Sequence, residues 1–487
     1  MSKLIETTKQ IEASLPVERL EQEGYKRDRR EYEFIVTYPP ISAMKPMSQR
    51  DIFFGTTRER DVNFYVHIPF CTGECTYCGR FERFPRQNRQ TTDEYLTYLE
   101  KERDIMDTLP ELQRMRVSTL YIGGGTPTYL STGQLGRLTK FLTASLDAKK
   151  VAEFTVEGSP ETITKEKLEV LLQNGVNRFS MGVQSFHNDT LEMCGRRHNA
   201  ERARKSARLV REVGFRKFNI DLMSGLPYQT LERFEEDLNA AFDCGVSCVT
   251  IYPMYIRPGC KMAEFDDLVF PNQKDSLLMQ IMAKEFFKER GWKEDPIHFF
   301  APQGTTSNKL NMGKWGKGEE VLGLGVSTYQ FMNNTQYHNL FDMQEYRARV
   351  LGGELPIWVG KKLEKEEQMT RFMVLGMKNG FVDVATFFSK FNSHPESIYP
   401  HTIQRLKDLG LIIDTTDEHE IVDELRRIEL TNLGSLFSEE VAIQFFTDAT
   451  RRAIGNRGYA GYSIAELPKF NGEDKKMPNQ TFTLTKP

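Results

Sequence analysis

No run of about 18 apolar residues occurs anywhere in the 487-residue chain, so no membrane-spanning helix is expected. Residues 1–21 mix Lys, Glu and Arg without an apolar core, which argues against a secretory leader and for a cytoplasmic protein. Cysteine is scarce, with seven in all, and in a reducing compartment a disulfide framework is not expected. A surplus of either charge is also missing: 65 Lys and Arg face 68 Asp and Glu, a net −3, so no global field recruits nucleic acid.

The few cysteines that exist are not evenly spread. Cys71, Cys75 and Cys78 fall within eight residues, directly after the β-branched and aromatic stretch Tyr65-Val-His-Ile-Pro-Phe. A zinc site or a closed iron–sulfur cluster takes four protein ligands, so a C-x3-C-x2-C triplet leaves one corner open for chemistry. A zinc knuckle would need a fourth Cys or His nearby, and residues 63–90 offer only His67, which the pattern buries in a strand. Cys194, Cys244, Cys248 and Cys260 read as small packed hydrophobes. Basic stretches at 80–89 and 196–211 read as solvated faces, although Arg80, Arg83 and Arg86 follow the triplet closely and are candidates to receive substrate carboxylates.

From residue 61 to about 330 short apolar strands alternate with amphipathic helices, the pattern of parallel βαβ units. Strands are predicted at 63–68, 118–122, 153–157, 178–183, 217–223 and 248–253, and helices at 92–109, 131–146, 165–173, 200–213 and 231–243. Six units make an α/β fold, a partial (β/α)6 barrel, whose reacting groups belong at the C-terminal ends of the strands. Residues 1–60 form an N-terminal extension in which Thr37-Tyr-Pro-Pro-Ile-Ser predicts an extended segment draped over the barrel mouth. After a connecting segment at 331–363, three helices and two short strands predict a helical winged-helix-like domain at 364–458, with a loose tail at 459–487. That domain is not rich in basic residues on one helix, so DNA binding is not expected.

Four ordered words sharpen this picture: Tyr65-Val-His-Ile-Pro-Phe-Cys71, Gly123-Gly-Gly-Thr-Pro127, Gly182-Val-Gln-Ser-Phe186 and Asn219-Ile-Asp-Leu-Met-Ser-Gly-Leu-Pro227. Together with Leu322-Gly-Leu-Gly-Val-Ser-Thr-Tyr329, they resemble the radical S-adenosylmethionine superfamily, in its oxygen-independent coproporphyrinogen III oxidase-like family. That family comprises oxidases, haem chaperones, and radical methyltransferases and cyclopropanases. The resemblance implies a 4Fe-4S cluster on Cys71, Cys75 and Cys78, with S-adenosylmethionine on its open iron as source of a 5′-deoxyadenosyl radical. It further implies a flavodoxin or ferredoxin-type electron donor, a small unsaturated or tetrapyrrole substrate, and a monomer.

By the same resemblance, Tyr65, Gly124 and Glu157 fall where the family contacts the cluster-bound cofactor. Tyr77, Gly125, Thr126, Gln184, Arg196, Asp221 and Tyr255 fall on contacts to a second S-adenosylmethionine. His198, two residues past Arg196, is a candidate proton carrier or a hydrogen-bonded structural histidine. The oxidases carry a further cysteine two positions after the third ligand, where this chain has Arg80. With that departure, methyl or methylene transfer to an sp2 carbon is the first expectation, oxidase-type decarboxylation the second and haem transfer the third.

Overall fold

The βα alternation is realised in the computed structural model, which describes residues 2–25, 35–54, 59–78, 84–85, 87–144, 151–256, 260–265, 268–415 and 426–454. Six parallel strands, β1 (Arg60–Ile68), β2 (Met115–Gly124), β3 (Glu153–Gly158), β4 (Arg178–Gln184), β5 (Lys217–Ser224) and β6 (Cys248–Pro253), are neighbours in that order. Between them in sequence run α1 (Arg89–Asp107), α2 (Thr132–Ala144), α3 (Lys165–Gln173), α4 (Ala200–Val213) and α5 (Leu231–Asp243), with α6 (Gln273–Lys288) after β6. Local signals explain these bounds. Asn199 caps α4 by accepting from the Arg202 amide, and Gly214 ends it in the left-handed region at φ 108°.

Antiparallel additions lie on either side: β7 (Trp292–Glu294) and β8 (Phe299–Pro302) beyond β6, and β10 (Tyr329–Met332) and β11 (Thr335–Asn339) beyond β9 (Val321–Leu324). β9 itself pairs in parallel with β1, and β12 (Ile357–Lys362) joins β11. Residues 331–363, expected to connect the two parts, thus contribute β11 and β12 to the same sheet. The strand order runs from β12 through β9, β1 and β6 to β7 without returning to its start, which leaves the barrel partial. Its lower end is filled by the segment after β8, where Arg178 Nε donates to the Ser307 carbonyl and Glu153 accepts from the Lys309 amide.

The described residues of the N-terminal extension do not cover the barrel mouth. The helix Lys3–Ala13 packs on α6, and Leu20, Tyr25, Ile35 and Tyr38 share an apolar cluster with the C-terminal domain. Tyr38 Oη lies 2.9 Å from Thr450 Oγ1, and Lys45–Pro46 pairs with β12. Apolar burial explains the difference: four large side chains find a core on the flank, whereas a polar mouth would leave them wet.

The C-terminal domain has α7 (Lys365–Asn379), β13 (Phe381–Asp383), α8 (Val384–Phe391), α9 (Pro400–Asp408), β14 (Ile412–Asp414) and β15 (Arg427–Leu430). Its three strands form an antiparallel sheet in the order β13, β15, β14, a winged-helix-like arrangement. β13 escaped the sequence reading because it is three residues long and follows α7 directly across Gly380. The predicted tail at 459–487 lies outside the described residues, as do Arg80, Arg83 and Arg86.

One buried carboxyl ties the barrel wall together. Glu102 on α1 accepts from Tyr346 Oη at 2.6 Å, the Gly325 amide at 2.8 Å and Asn339 Nδ2 at 2.9 Å. Burial outweighs these donors and raises its pKa from 4.5 to about 7. The folded protein therefore holds a proton that the unfolded chain has lost. The stability this confers is present below the unfolded pKa and is lost as pH rises through the folded one, at up to about 1.4 kcal/mol per pH unit. Against a Glu102→Gln variant, which has no such proton, the wild type should lose ground in urea denaturation between about pH 5 and pH 8.

Candidate functional site

The loop after β1 carries the three cysteines, and its position is fixed by backbone bonds to its neighbours. The Gly125 amide donates to the Ile68 carbonyl and the Thr126 amide to the Phe70 carbonyl, each at 2.8 Å, while the Thr76 amide donates to the Cys194 carbonyl at 3.0 Å. The strand-end glycines are needed for this approach. A Cβ on Gly125 would lie 2.7 Å from the Phe70 carbonyl oxygen and 3.0 Å from Cys71 Sγ. Gly124 has φ +113°, and a Cβ there would sit 2.6 Å from the His67 ring.

A cavity of about 400 Å³ opens between this loop and the C-terminal ends of β2 to β6, the size of a small-molecule site. Cys71, Cys75, Cys78 and Tyr77 line one side, and Gly124, Gly125, Thr126 and Glu157 another. Gln184, Arg196, Asp221 and Tyr255 complete the wall. Tyr65 is placed differently. Its ring stacks between Tyr121 and Tyr329, with centroids 6.0 and 6.2 Å away, and its hydroxyl lies 3.2 Å from His67 Nδ1.

Glu157, Asp221 and Arg196 are held from behind, and Gln184 is set by its backbone. Glu157 accepts from Tyr121 Oη at 2.6 Å and the Gly124 amide at 3.2 Å. Asp221 accepts from Asn219 Nδ2 at 2.8 Å, and burial raises its pKa. Gln184 follows an irregularity in the β4–β5 register and adopts φ 77°, a left-handed conformation that turns the strand end. Arg196 donates through Nη1 to Cys75 Sγ at 3.4 Å and through Nη2 to Ser159 Oγ at 2.9 Å and to the Gly182 carbonyl. Burial opposes its charge, yet Tyr77, Cys75 and Glu161 outweigh this and raise its pKa. Burial likewise raises Tyr77.

Among the lining residues absent from the predicted set are Ser159 and Glu161, in the turn after β3. Glu161 accepts from Thr72 Oγ1 at 2.8 Å and from Ser159 Oγ, and its Oε2 lies 3.4 Å from His198 Nδ1. Burial would raise its pKa, but His198, Arg196 and Ser159 prevail and leave it well below the usual carboxylate range. His198 is buried with its pKa lowered, mainly by desolvation. The only available signal was the strand-end word Glu157-Gly-Ser-Pro-Glu161, which on its own reads as a solvated turn.

The donor set fits a cubane better than a single ion. Among the described residues, no three His, Cys, Asp or Glu side chains converge on one point that a metal ion could occupy. A cubane takes one thiolate on each of three irons and leaves the fourth iron open, which a C-x3-C-x2-C loop supplies, whereas a structural zinc site takes four ligands on one ion. All three thiols are partly exposed and form no disulfide. Arg196 Nε, buried in the wall, has no hydrogen-bond partner among the described residues, which suits a polar ligand in the cavity.

Residues 65–241 match the family described as the Radical SAM superfamily. The chain is 31% identical over 382 residues to the haem chaperone HemW of Bacillus subtilis, covering 77% of this chain and 97% of that protein. The chain belongs to this radical SAM family. It is also 28% identical over 410 residues to the oxygen-independent coproporphyrinogen III oxidase of Escherichia coli, covering 81% of this chain and 87% of that protein. The solved radical SAM enzyme coproporphyrinogen III oxidase (HemN) of E. coli shares the fold, with a TM-score of 0.72 at 24% identity over 86% of this chain and 100% of that one. As a radical SAM protein the chain uses a 4Fe-4S cluster and S-adenosylmethionine. Methyl or methylene transfer, the first expectation, finds no support among these relatives. They favour the readings placed behind it. Among the described residues no helix is long and apolar enough to cross a membrane.

Proposed function

We propose that the chain is a radical SAM enzyme of the oxygen-independent coproporphyrinogen III oxidase type, acting on a tetrapyrrole that bears carboxylate side chains. The observation that carries this reading is the single cavity shared by the cysteine loop and the polar wall of Gln184, Arg196 and Asp221. When bound, the cluster and S-adenosylmethionine supply a radical able to take hydrogen from an unactivated carbon. The protein's part is to fix geometry. Cys71, Cys75 and Cys78 hold the iron, Glu157 accepts hydrogen bonds beside it, and Gln184 and Asp221 orient a second ligand. A flavodoxin or ferredoxin-type donor provides the electron, and the protein works as a monomer.

Anaerobic incubation with reductant, S-adenosylmethionine and coproporphyrinogen III tests this reading by mass spectrometry of the products. Vinyl products with loss of carbon dioxide are expected. S-adenosylhomocysteine together with a heavier, alkylated product would overturn it in favour of group transfer. Within the same assay, Asp221→Ala is expected to lower product formation at least about tenfold while 5′-deoxyadenosine formation falls much less.

A second reading, haem transfer, is favoured by the 97% coverage of the B. subtilis haem chaperone and by Arg80 standing where the oxidases have a cysteine. It expects one haem bound per chain and little turnover of S-adenosylmethionine, both measurable by absorption titration and chromatography.

A further inference from the structure

The turn after β3 connects two things that lie far apart in sequence. On one side its Glu161 receives Thr72, the residue after the first cysteine, at 2.8 Å. On the other, Ser159 bonds both Glu161 and Arg196, and Arg196 places Nη1 3.4 Å from Cys75 Sγ. The turn itself is clamped from outside. Arg202 donates to the Pro160 carbonyl and to the Ile163 carbonyl, each at 2.9 Å, and Ser206 Oγ donates to the Pro160 carbonyl at 2.9 Å. The side of Glu161 away from the loop is closed by His198, whose side chain is fully buried. A carboxylate this well held is a fixed point, and the cysteine loop is fastened to it.

We propose that Glu161 is a positioning residue for the cluster. Through Thr72 it fixes the loop at Cys71, and through Ser159 it aims the Arg196 guanidinium at the sulfur of Cys75. Hydrogen bonds to ligand sulfurs raise the reduction potential of an iron–sulfur cluster, because the donor stabilises the more negative, reduced form. Glu161 therefore acts on that potential indirectly, by keeping a cationic donor in place. The inference rests on the three cysteines as ligands and not on which substrate is used.

The test is a double-mutant cycle read by spectroscopy. Wild type, Glu161→Ala, Arg196→Ala and the double variant are reconstituted anaerobically, analysed for iron and sulfide, and titrated by electron paramagnetic resonance without substrate. Glu161→Ala should disfavour reduction by about tenfold in the equilibrium constant, in the same direction as Arg196→Ala. In the Arg196→Ala background, removing Glu161 should change it by less than about twofold. An unchanged potential in Glu161→Ala, or an equal shift in both backgrounds, would overturn the proposal, since a carboxylate acting only through its charge needs no arginine. If Glu161→Ala fails to retain iron, Glu161→Gln decides. Its amide can still bond Thr72 and Ser159, so full iron loading is expected, and an alanine-like loss would count against positioning. A wild type that cannot hold a 4Fe-4S cluster would overturn the inference along with the ligand assignment.

Discussion

Cys75→Ala is expected to abolish cluster assembly and, with it, cleavage of S-adenosylmethionine. Cys75 has close electrostatic company: Arg196 donates to its sulfur, and after burial it is the next cause that raises the pKa values of Tyr77 and Cys194. With Cys75 as a proposed ligand, its loss would leave the cluster two protein ligands on a loop with no replacement at hand. The thiol of Cys194 is buried, and burial pushes it up to about 12, so it does not offer a thiolate at neutral pH. Formation of 5′-deoxyadenosine should fall by at least about 1,000-fold, equivalent to about 4 kcal/mol of barrier. The checks are iron and sulfide content after anaerobic reconstitution and chromatographic measurement of 5′-deoxyadenosine. A variant that retains cleavage would remove Cys75 from the ligand set and leave the proposed activity without its source of radical.

That most of the residues lining this one cavity could be picked out in the sequence reflects how local its main parts are. Three thiols on one loop, a glycine run at a strand end and a carboxylate at the next strand end are each set by a few consecutive residues. The βα periodicity then places them at the same end of the barrel, and helices α3 to α5 fall on their predicted bounds because caps such as Asn199 and Gly214 mark them. What could not be read depends on distant contacts. Glu161 looks like part of a solvated Ser-Pro-Glu turn, and contacts such as that of Thr72, 89 residues away, make it a half-buried anchor. Tyr65, a cofactor contact by the family resemblance, has its ring in a stack with Tyr121 and Tyr329, a contact among three strands that no single segment encodes. The flank position of the described residues of the extension is hidden for the same reason: partners such as α6 and Thr450 lie more than 200 residues downstream.

The same long-range logic makes one ion pair the most consequential for stability. Lys378 at the end of α7 and Glu439 both look like ordinary surface charges in sequence, yet their side chains are 0% and 1% exposed and they pair directly. Glu439 also accepts from the Ile35 amide at 3.2 Å, so the carboxylate joins the N-terminal extension to the C-terminal domain. Lys378 has other cations around it: burial, and after it Arg371 and Lys378, lower the pKa of Lys314, and the Lys378 Nζ lies 5.8 Å from the centre of the Trp315 ring. Removing one partner of a buried pair leaves an uncompensated charge, whereas removing both leaves only a packing problem. Glu439→Leu is therefore expected to destabilise the protein by about 3–5 kcal/mol. The double variant Lys378→Met, Glu439→Leu should recover at least half of that loss, short of full recovery because the Ile35 amide loses its acceptor. Urea denaturation followed by tryptophan fluorescence measures both, since Trp315 lies beside Lys378. Equal destabilisation in the single and double variants would mean that volume rather than charge governs this junction. A further consequence follows for the extension: with Glu439 gone, residues 35–38 lose one of their fastenings, and limited proteolysis should cut there sooner than in the wild type.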